Sequence, residues 1–294
     1  SSSVSEVKIK LPDGSVKTFD HPVTVREVAE SIGKGLAKAA LAAKVNGELA
    51  DLSTTIAEDA ELEILTPKSP GATEVMRHSC THLMAQAIKR LRPEAMLEDG
   101  PATEDGYWYD IKTDPPLTTE DFPAIEQEMR KIAKEKLPVE RQILTREEAL
   151  ELFDERGEKY KLELIERIPE GDTISAYRQG EFIDLCRGPH VPNTGMLQAF
   201  KLMSVAGAYW KGDAKNDQLT RVKGTAFFDK KELQEYLQML EEARKRDHRR
   251  VGRELELFMH HEWAPGEAIW LPKGHTMYRI LSEMMSDLCR EEGY

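Results

Sequence analysis

Three cysteines in 294 residues, Cys80, Cys186 and Cys289, are too few and too scattered to staple a fold. That excludes a disulfide scaffold and points to a reducing, cytoplasmic compartment. No apolar run approaches the ~20 residues that a membrane span needs, so no membrane partner is expected. The opening Ser1-Ser2-Ser3-Val4-Ser5-Glu6 lacks the apolar core of a secretory leader. Basic charge is also short. A net charge of −12 argues mildly against nucleic acid as a partner, but it describes the average field and not a local patch. One such patch stands at Arg244-Lys245-Arg246-Asp247-His248-Arg249-Arg250, continuing to Arg253. It is either a solvated helix face or a contact to phosphates or an acidic partner.

What is present is a soluble globular composition, 40% apolar and 32% charged, in a chain long enough for two or three domains. Residues 1–66 read as a ubiquitin-like β-grasp domain. Val7, Ile9 and Leu11 alternate, Pro12-Asp13-Gly14-Ser15 turns the chain, and Val16 to Phe19 returns, which predicts a hairpin. Thr24 can cap a helix through Val25, Val28, Ala29 and Ile32, with Gly33 as its stop. Residues 39–43 look buried, Asn46-Gly47 is a turn signal, and residues 61–65 alternate as a closing strand. No side chain here has catalytic chemistry, which predicts a binding or positioning module.

Pro67-Lys68-Ser69-Pro70-Gly71 is the clearest linker. Residues 71–228 then predict an α+β domain with an antiparallel sheet. Its helices are one carrying His78 and His82 and others across residues 118–135 and 145–157. Its strands are an aromatic one at 106–111 and further ones at 161–165, 173–177, 181–185, 199–205, 207–210 and 218–228. Residues 229–250 predict one amphipathic linker helix, with Leu233, Tyr236, Leu237, Leu240 and Ala243 as its stripe. Residues 251–294 predict short strands at 254–258 and 268–272 and a last helix at 278–292. That segment is small for a core of its own and looks like the opening of a further domain.

The chemistry concentrates in two pairs with four-residue spacing. His78 and His82 lie in Arg77-His78-Ser79-Cys80-Thr81-His82, where Leu83, Ala87 and Leu91 continue at helical spacing. Residues four apart share a helix face. Cys186 and His190 lie in Asp184-Leu185-Cys186-Arg187-Gly188-Pro189-His190, a strand-to-turn segment. Three imidazoles and a thiol suit either a tetrahedral zinc site or a general-base and nucleophile cluster. Neither pair alone is decisive; together, with Asp184 adjacent, they mark a candidate site.

Further stretches stand with these pairs: Lys201-Leu202-Met203, Gly207-Ala208-Tyr209-Trp210-Lys211-Gly212-Asp213 and Arg246-Asp247-His248-Arg249. Together with the two pairs they resemble the bacterial threonyl-tRNA synthetases, over essentially the whole chain. The resemblance implies a TGS β-grasp domain (1–66), an editing domain (71–228), a linker helix (229–250) and a truncated start of a class II catalytic core (251–294). It implies an enzyme that attaches threonine to tRNA(Thr) with ATP and whose editing domain hydrolyses mischarged seryl-tRNA(Thr). One methyl separates serine from threonine and discriminates by only ~1–3 kcal/mol, so a second site supplies the missing accuracy.

The family's editing positions fall on His78, His82, Tyr109, Lys161, Asp184, Cys186 and His190. The resemblance implies water activation by His78 or His190 and ribose or oxyanion stabilisation by Lys161. Asp184 would bind the substrate amino group or orient a base, and His82 and Cys186 would hold the serine hydroxyl. Tyr109 is expected at the substrate or, alternatively, as plain core; Lys161 is alternatively a surface lysine. No metal is expected at the site; if one is present, its ligands would be His78, His82, Cys186 and His190. ATP with Mg2+, a Zn2+ and the homodimer interface are expected in the part of the family's core beyond Tyr294. This chain is therefore expected not to aminoacylate, to dimerise weakly or not at all, and to end in an exposed, poorly ordered tail after about residue 250. The competing readings are a metal-dependent alanyl-type aminoacyl-tRNA deacylase and a non-catalytic tRNA-binding module.

Overall fold

The computed structural model describes residues 6–294; residues 1–5, most of the opening read above for a secretory leader, lie outside the described residues. The hairpin forms as β1 (Val7–Lys10) and β2 (Val16–Phe19), paired antiparallel across Gly14 at φ 85°. β3 (Val23–Thr24) leads into α1 (Val25–Ile32). Thr24 caps that helix reciprocally: its hydroxyl accepts from Glu27 N–H at 3.1 Å, and the Glu27 carboxylate accepts from Thr24 N–H at 3.0 Å. Then come α2 (Lys34–Ala39), β4 (Ala42–Val45), β5 (Glu48–Ala50), β6 (Thr55–Ile56) and β7 (Ala60–Leu65). Asn46 and Gly47 join β4 to β5 with φ of 51° and 84°, both positive as a type I′ turn requires. The sheet order is β2-β1-β7-β4-β5, with β1 and β7 parallel.

β4, β7 and their flanks serve two cores. Ala43 and Leu62 join Val7, Ile9 and Val28 inside the small domain. Leu41, Ala42 and Leu65 join Val75, Met76 and Leu83 of the following helix. The apolar surface therefore runs through the 67–71 linker region, and the chain up to Leu233 is one compact unit, with a second from Gln234.

The central element is α3 (Ala72–Leu91), which packs on β9, β14 and α4 and is buried on nearly every side. A helix apolar or buried all round belongs to a core and not to a surface. Around it lie β8 (Met96–Leu97), β9 (Tyr107–Lys112), α4 (Phe122–Glu135), β10 (Glu140–Leu144), α5 (Arg146–Glu155) and α6 (Lys159–Arg167). β11 (Ile174–Gln179), β12 (Phe182–Leu185), β13 (Ala199–Tyr209) and β14 (Gln218–Phe227) complete two antiparallel sheets, β13-β14-β9-β8 and β10-β11-β12. The α+β class is as the sequence implies.

Several elements differ from expectation. Residues 161–165 are helix, not strand: Lys161 and Ile165 are the buried i, i+4 pair of α6. The strands expected at 199–205 and 207–210 are the single β13, with an irregularity between Leu202 and Ser204. β10 carried no clear signal. The helix expected over 229–250 breaks: α7 (Lys230–Lys245) stops, and Asp247 accepts from Arg249 N–H to cap α8 (His248–Glu254). The strand expected at 254–258 shrinks to β15 (Phe258–Met259), paired with β16 (Ile269–Trp270). The tail is helical from Pro272, as α9 (Pro272–Glu291), with its apolar side exposed. Among the described residues, no helix is long and apolar enough to cross a membrane.

Candidate active site

The four-residue spacing on α3 sets His78 and His82 on one face, ring centroids 6.0 Å apart. That face meets the end of β12 and the turn after it. Cys186 is tied into the turn where its N–H donates to Ser175 O at 3.1 Å and its carbonyl accepts from the Ser175 hydroxyl at 2.5 Å. Gly188 has φ 75°, and any Cβ there would collide with the Tyr177 hydroxyl, so the turn requires glycine. The turn delivers His190 against both α3 histidines, centroids 4.5 Å from His78 and 4.2 Å from His82.

The side chains separate into two layers. In the outer one, His78 Nε2 lies 3.0 Å from Cys186 Sγ, and Sγ lies 3.2 Å from His190 Nε2 and accepts from Gly188 N–H at 3.3 Å. In the inner one, Asp184 Oδ2 accepts from the Tyr109 hydroxyl at 2.5 Å and lies 3.2 Å from His82 Nε2. Lys161 Nζ forms an ion pair with Asp184 Oδ1 at 2.8 Å and donates to Tyr109 Oη at 2.9 Å and Glu98 O at 2.6 Å. Exposure follows the layers except at His190: His78 and Cys186 are half-buried, Tyr109, Lys161 and Asp184 are 1% exposed and His82 3%, but His190 of the outer layer is also buried, at 2%.

The charges of the cluster follow from these contacts. Burial opposes charge on Asp184, yet Lys161 and His82 beside it hold its carboxyl well below the usual range. Burial likewise opposes charge on His82, but the Asp184 and Cys186 contacts outweigh it and raise the imidazole to about 9. Lys161 stays an ammonium for the same reason: Asp184 outweighs burial. Burial would raise the Cys186 thiol, but His190 and His78 bring it well below its ordinary value. Burial and the neighbouring His82 charge push His190 down to about 3, so it stays neutral. At neutral pH two buried cations therefore face one buried carboxylate and a half-buried thiolate, and buried charge is tolerated where it is paired in this way.

The tautomers follow too. Ser79 Oγ accepts from Val191 N–H at 3.0 Å and lies 3.0 Å from His190 Nδ1, and with the thiolate at Nε2 the matching arrangement has the Ser79 hydroxyl donating to Nδ1. His190 then carries its proton on Nε2, toward the thiolate. A thiolate accepting from His78 likewise sets that proton on Nε2, leaving Nδ1 as the basic nitrogen.

A cavity of about 280 Å³ opens beside this cluster. His78, Val75, Gly100, Ala102 and Pro189 line it, with Leu49 contributed by β5 of the small domain. A larger cleft of about 360 Å³ on the small domain, lined by Lys10, Lys44, Glu61 and Glu63, has no such cluster behind it. Of the expected site residues, His78 alone lines the 280 Å³ cavity. Lys161 is buried rather than a surface lysine, and its Nζ meets Asp184 Oδ1, Glu98 O and Tyr109 Oη. Asp184 and Tyr109 likewise face each other inside the core. His78, Cys186 and His190 offer one ligand atom each within 4.8 Å of one another. His82, the fourth expected metal ligand, points Nε2 at Asp184 instead. Sequence reasoning missed Ser79, Asp51 and Tyr177, which hold His190. Ser79 lies inside the first motif and was within reach; the other two carried no local signal.

Known families account for this pairing of a β-grasp domain with a His/Cys cluster. Residues 7–66 match the TGS domain, and residues 174–223 match the threonyl and alanyl tRNA synthetase second additional domain. The second match contains Asp184, Cys186 and His190; the α3 histidines lie outside it. This is the domain pair of an aminoacyl-tRNA synthetase. The threonine–tRNA ligases of Alkalilimnicola ehrlichii and Azoarcus sp. strain BH72 are each 54% identical to it over 97% of this chain, and that of Methylococcus capsulatus is 52% identical over the same share. The chain belongs to the threonine–tRNA ligase family, and it spans 45% of the length of these relatives.

Proposed function

We propose that residues 71–228 proofread for a threonine–tRNA ligase by hydrolysing mischarged seryl-tRNA(Thr). The observation that carries this reading is a 280 Å³ cavity lined by His78, whose Nε2 meets Cys186 Sγ, backed by the buried Lys161–Asp184 ion pair. The reaction adds water to the ester carbonyl and breaks the bond to the ribose oxygen. His78 is the general base: the Cys186 thiolate holds its Nε2–H, and Nδ1 takes the water proton and returns it to the leaving ribose hydroxyl. A neutral His190, brought down to about 3, is too weak a base for that step and instead donates to the thiolate. Asp184, Lys161, Tyr109 and His82 brace the cluster from beneath through their ion pair and hydrogen bonds. The cavity accepts the smaller serine and disfavours one additional methyl, worth ~1–3 kcal/mol.

In the same proposal the whole ligase joins threonine to tRNA(Thr) with ATP and Mg2+, uses a Zn2+ in its catalytic core, and acts as a homodimer in the cytoplasm. A second reading, a zinc-dependent deacylase, is favoured by the three-donor convergence of His78, Cys186 and His190. In that reading these three residues would hold the ion, which would supply an activated water. Ordinary zinc bonds place neighbouring S and N ligands about 3.6 Å apart, so the 3.0 and 3.2 Å contacts would have to open by a few tenths of an ångström. The test is hydrolysis of seryl-tRNA(Thr) and threonyl-tRNA(Thr) by this chain, with and without chelator. Serine-selective, chelator-insensitive hydrolysis is expected. Chelator-sensitive hydrolysis selects the zinc reading, and tRNA binding without hydrolysis leaves a binding module.

A further inference from the structure

We infer that Asp51, a residue of the β-grasp domain, is a positioning residue of the hydrolytic site, holding the turn that carries Cys186 and His190 in register with His78. The inference rests on the hydrolytic reading above. Asp51 follows β5, more than a hundred residues away in sequence, and is buried where the small domain meets that turn. Its Oδ1 accepts from His190 N–H at 2.8 Å. Its Oδ2 accepts from the Tyr177 hydroxyl, and Arg141 Nε lies 4.0 Å from the same oxygen. The Tyr177 ring in turn lies 4.4 Å from the His190 ring, and Gly188 is packed beneath the Tyr177 hydroxyl.

One carboxylate thus fixes His190 twice, through its backbone and through the tyrosine against its imidazole. The other side of the site needs no such help, because His78 is carried on a core helix. The turn has no regular structure of its own, yet it must hold Cys186 Sγ within 3.0 Å of His78 Nε2. A contact that served only to glue the two domains would be made more cheaply by an apolar side chain, as Leu41, Ala42 and Leu65 make it nearby. A carboxylate with both oxygens aimed at the turn instead defines a position. The small domain, which has no catalytic residue, therefore shapes catalysis by its fit to the turn.

The test compares single-turnover deacylation of seryl-tRNA(Thr) by the whole chain and four variants: Asp51→Ala, Asp51→Asn, Tyr177→Phe and Ile9→Ala. Misplacing a reacting group by about 1 Å costs on the order of 100-fold in rate. Asp51→Ala should lower the maximal rate about 10- to 100-fold with little change in half-saturating concentration. Asp51→Asn, which keeps an acceptor for His190 N–H, should recover part of that loss, and Tyr177→Phe should lose less than Asp51→Ala. Ile9→Ala cuts the small domain's core away from the turn; it should lower the melting temperature and leave the rate unchanged. A rate within twofold of wild type in Asp51→Ala overturns the inference, as does an equal loss in Ile9→Ala, which would make the effect one of stability. An inactive wild-type chain overturns the hydrolytic reading itself, so the two failures are distinct.

Discussion

Two helices of this chain, each of 20 residues, have opposite fates. α3 is buried along 14 of its residues, including charged and polar ones; α9 buries only Gly274 and exposes Met277, Ile280, Leu281, Met284, Met285 and Leu288. The apolar content is similar, so burial is decided by what each helix meets. α3 meets a sheet, another helix and the small domain's edge, and polar side chains that enter such a core must find partners there. That demand assembles the site: His82 Nε2, Asp184, Lys161 and Tyr109 pair with one another because water cannot reach them, although His82 Nδ1 is left without a hydrogen-bond partner among the described residues.

The largest test of this contrast removes chemistry from α3 without removing its packing. His78→Ala and Cys186→Ala should each slow seryl-tRNA(Thr) hydrolysis by ~10²- to 10⁴-fold, the usual worth of a positioned acid or base. Melting temperatures should move by only a few degrees. A loss under tenfold in both would remove the outer layer from the mechanism. Asp184→Asn acts on the inner layer. It leaves Lys161 and His82 as buried cations without a counter-ion, which costs ~3–5 kcal/mol by the precedent of broken buried pairs. Urea unfolding measures it, and a loss below ~1 kcal/mol would mean that Asp184 does not offset the charges of Lys161 and His82 as described.

Matched truncations then sharpen the helix comparison directly. Leu83→Ala on α3 should cost ~2–5 kcal/mol, as a buried leucine does. Leu281→Ala on α9 should cost no more than ~0.5 kcal/mol, since that leucine is 59% exposed. Equal costs in urea unfolding would show that α9 is covered in solution.

The sequence carried much of this architecture and stopped short at identifiable places. Thr24 with Glu27, Asn46-Gly47 and the α3 stripe are local signals, and each appears as an element. Lys161-Leu162-Glu163-Leu164-Ile165 alternates like a strand; α6 forms because Lys161 and Ile165 face the core four residues apart, and over five residues the two periods are indistinguishable. Asp247 caps α8 and so breaks the single helix expected over 229–250. At the site, the motifs named the residues but not their depth. That Lys161 lies deep and His78 at the cavity depends on which side chains find buried partners, a tertiary fact. Asp51 had no signal at all, because its partners, Tyr177 and His190, are remote in the chain.

The smallest predicted effect separates the two layers by pH. His82 has a folded value of about 9, against an ordinary ~6.5. Its contribution is therefore complete below ~6.5 and is lost as pH rises through 9. Cys186 runs the other way: its folded value lies well below the ordinary one, so its contribution is complete above ~8.5 and is lost as pH falls below that. Between pH 6.5 and 9 the two slopes oppose, and the wild-type chain should show a nearly flat stability. Cys186→Ala removes one slope only, since the Asp184 contact that raises His82 remains. Its stability should decline with pH across this window by about 1 kcal/mol per unit at the steepest. A flat profile in Cys186→Ala would show that His82 is neutral in the folded chain and that Lys161 alone balances Asp184; a wild-type profile that already declines would show instead that the thiolate is not formed.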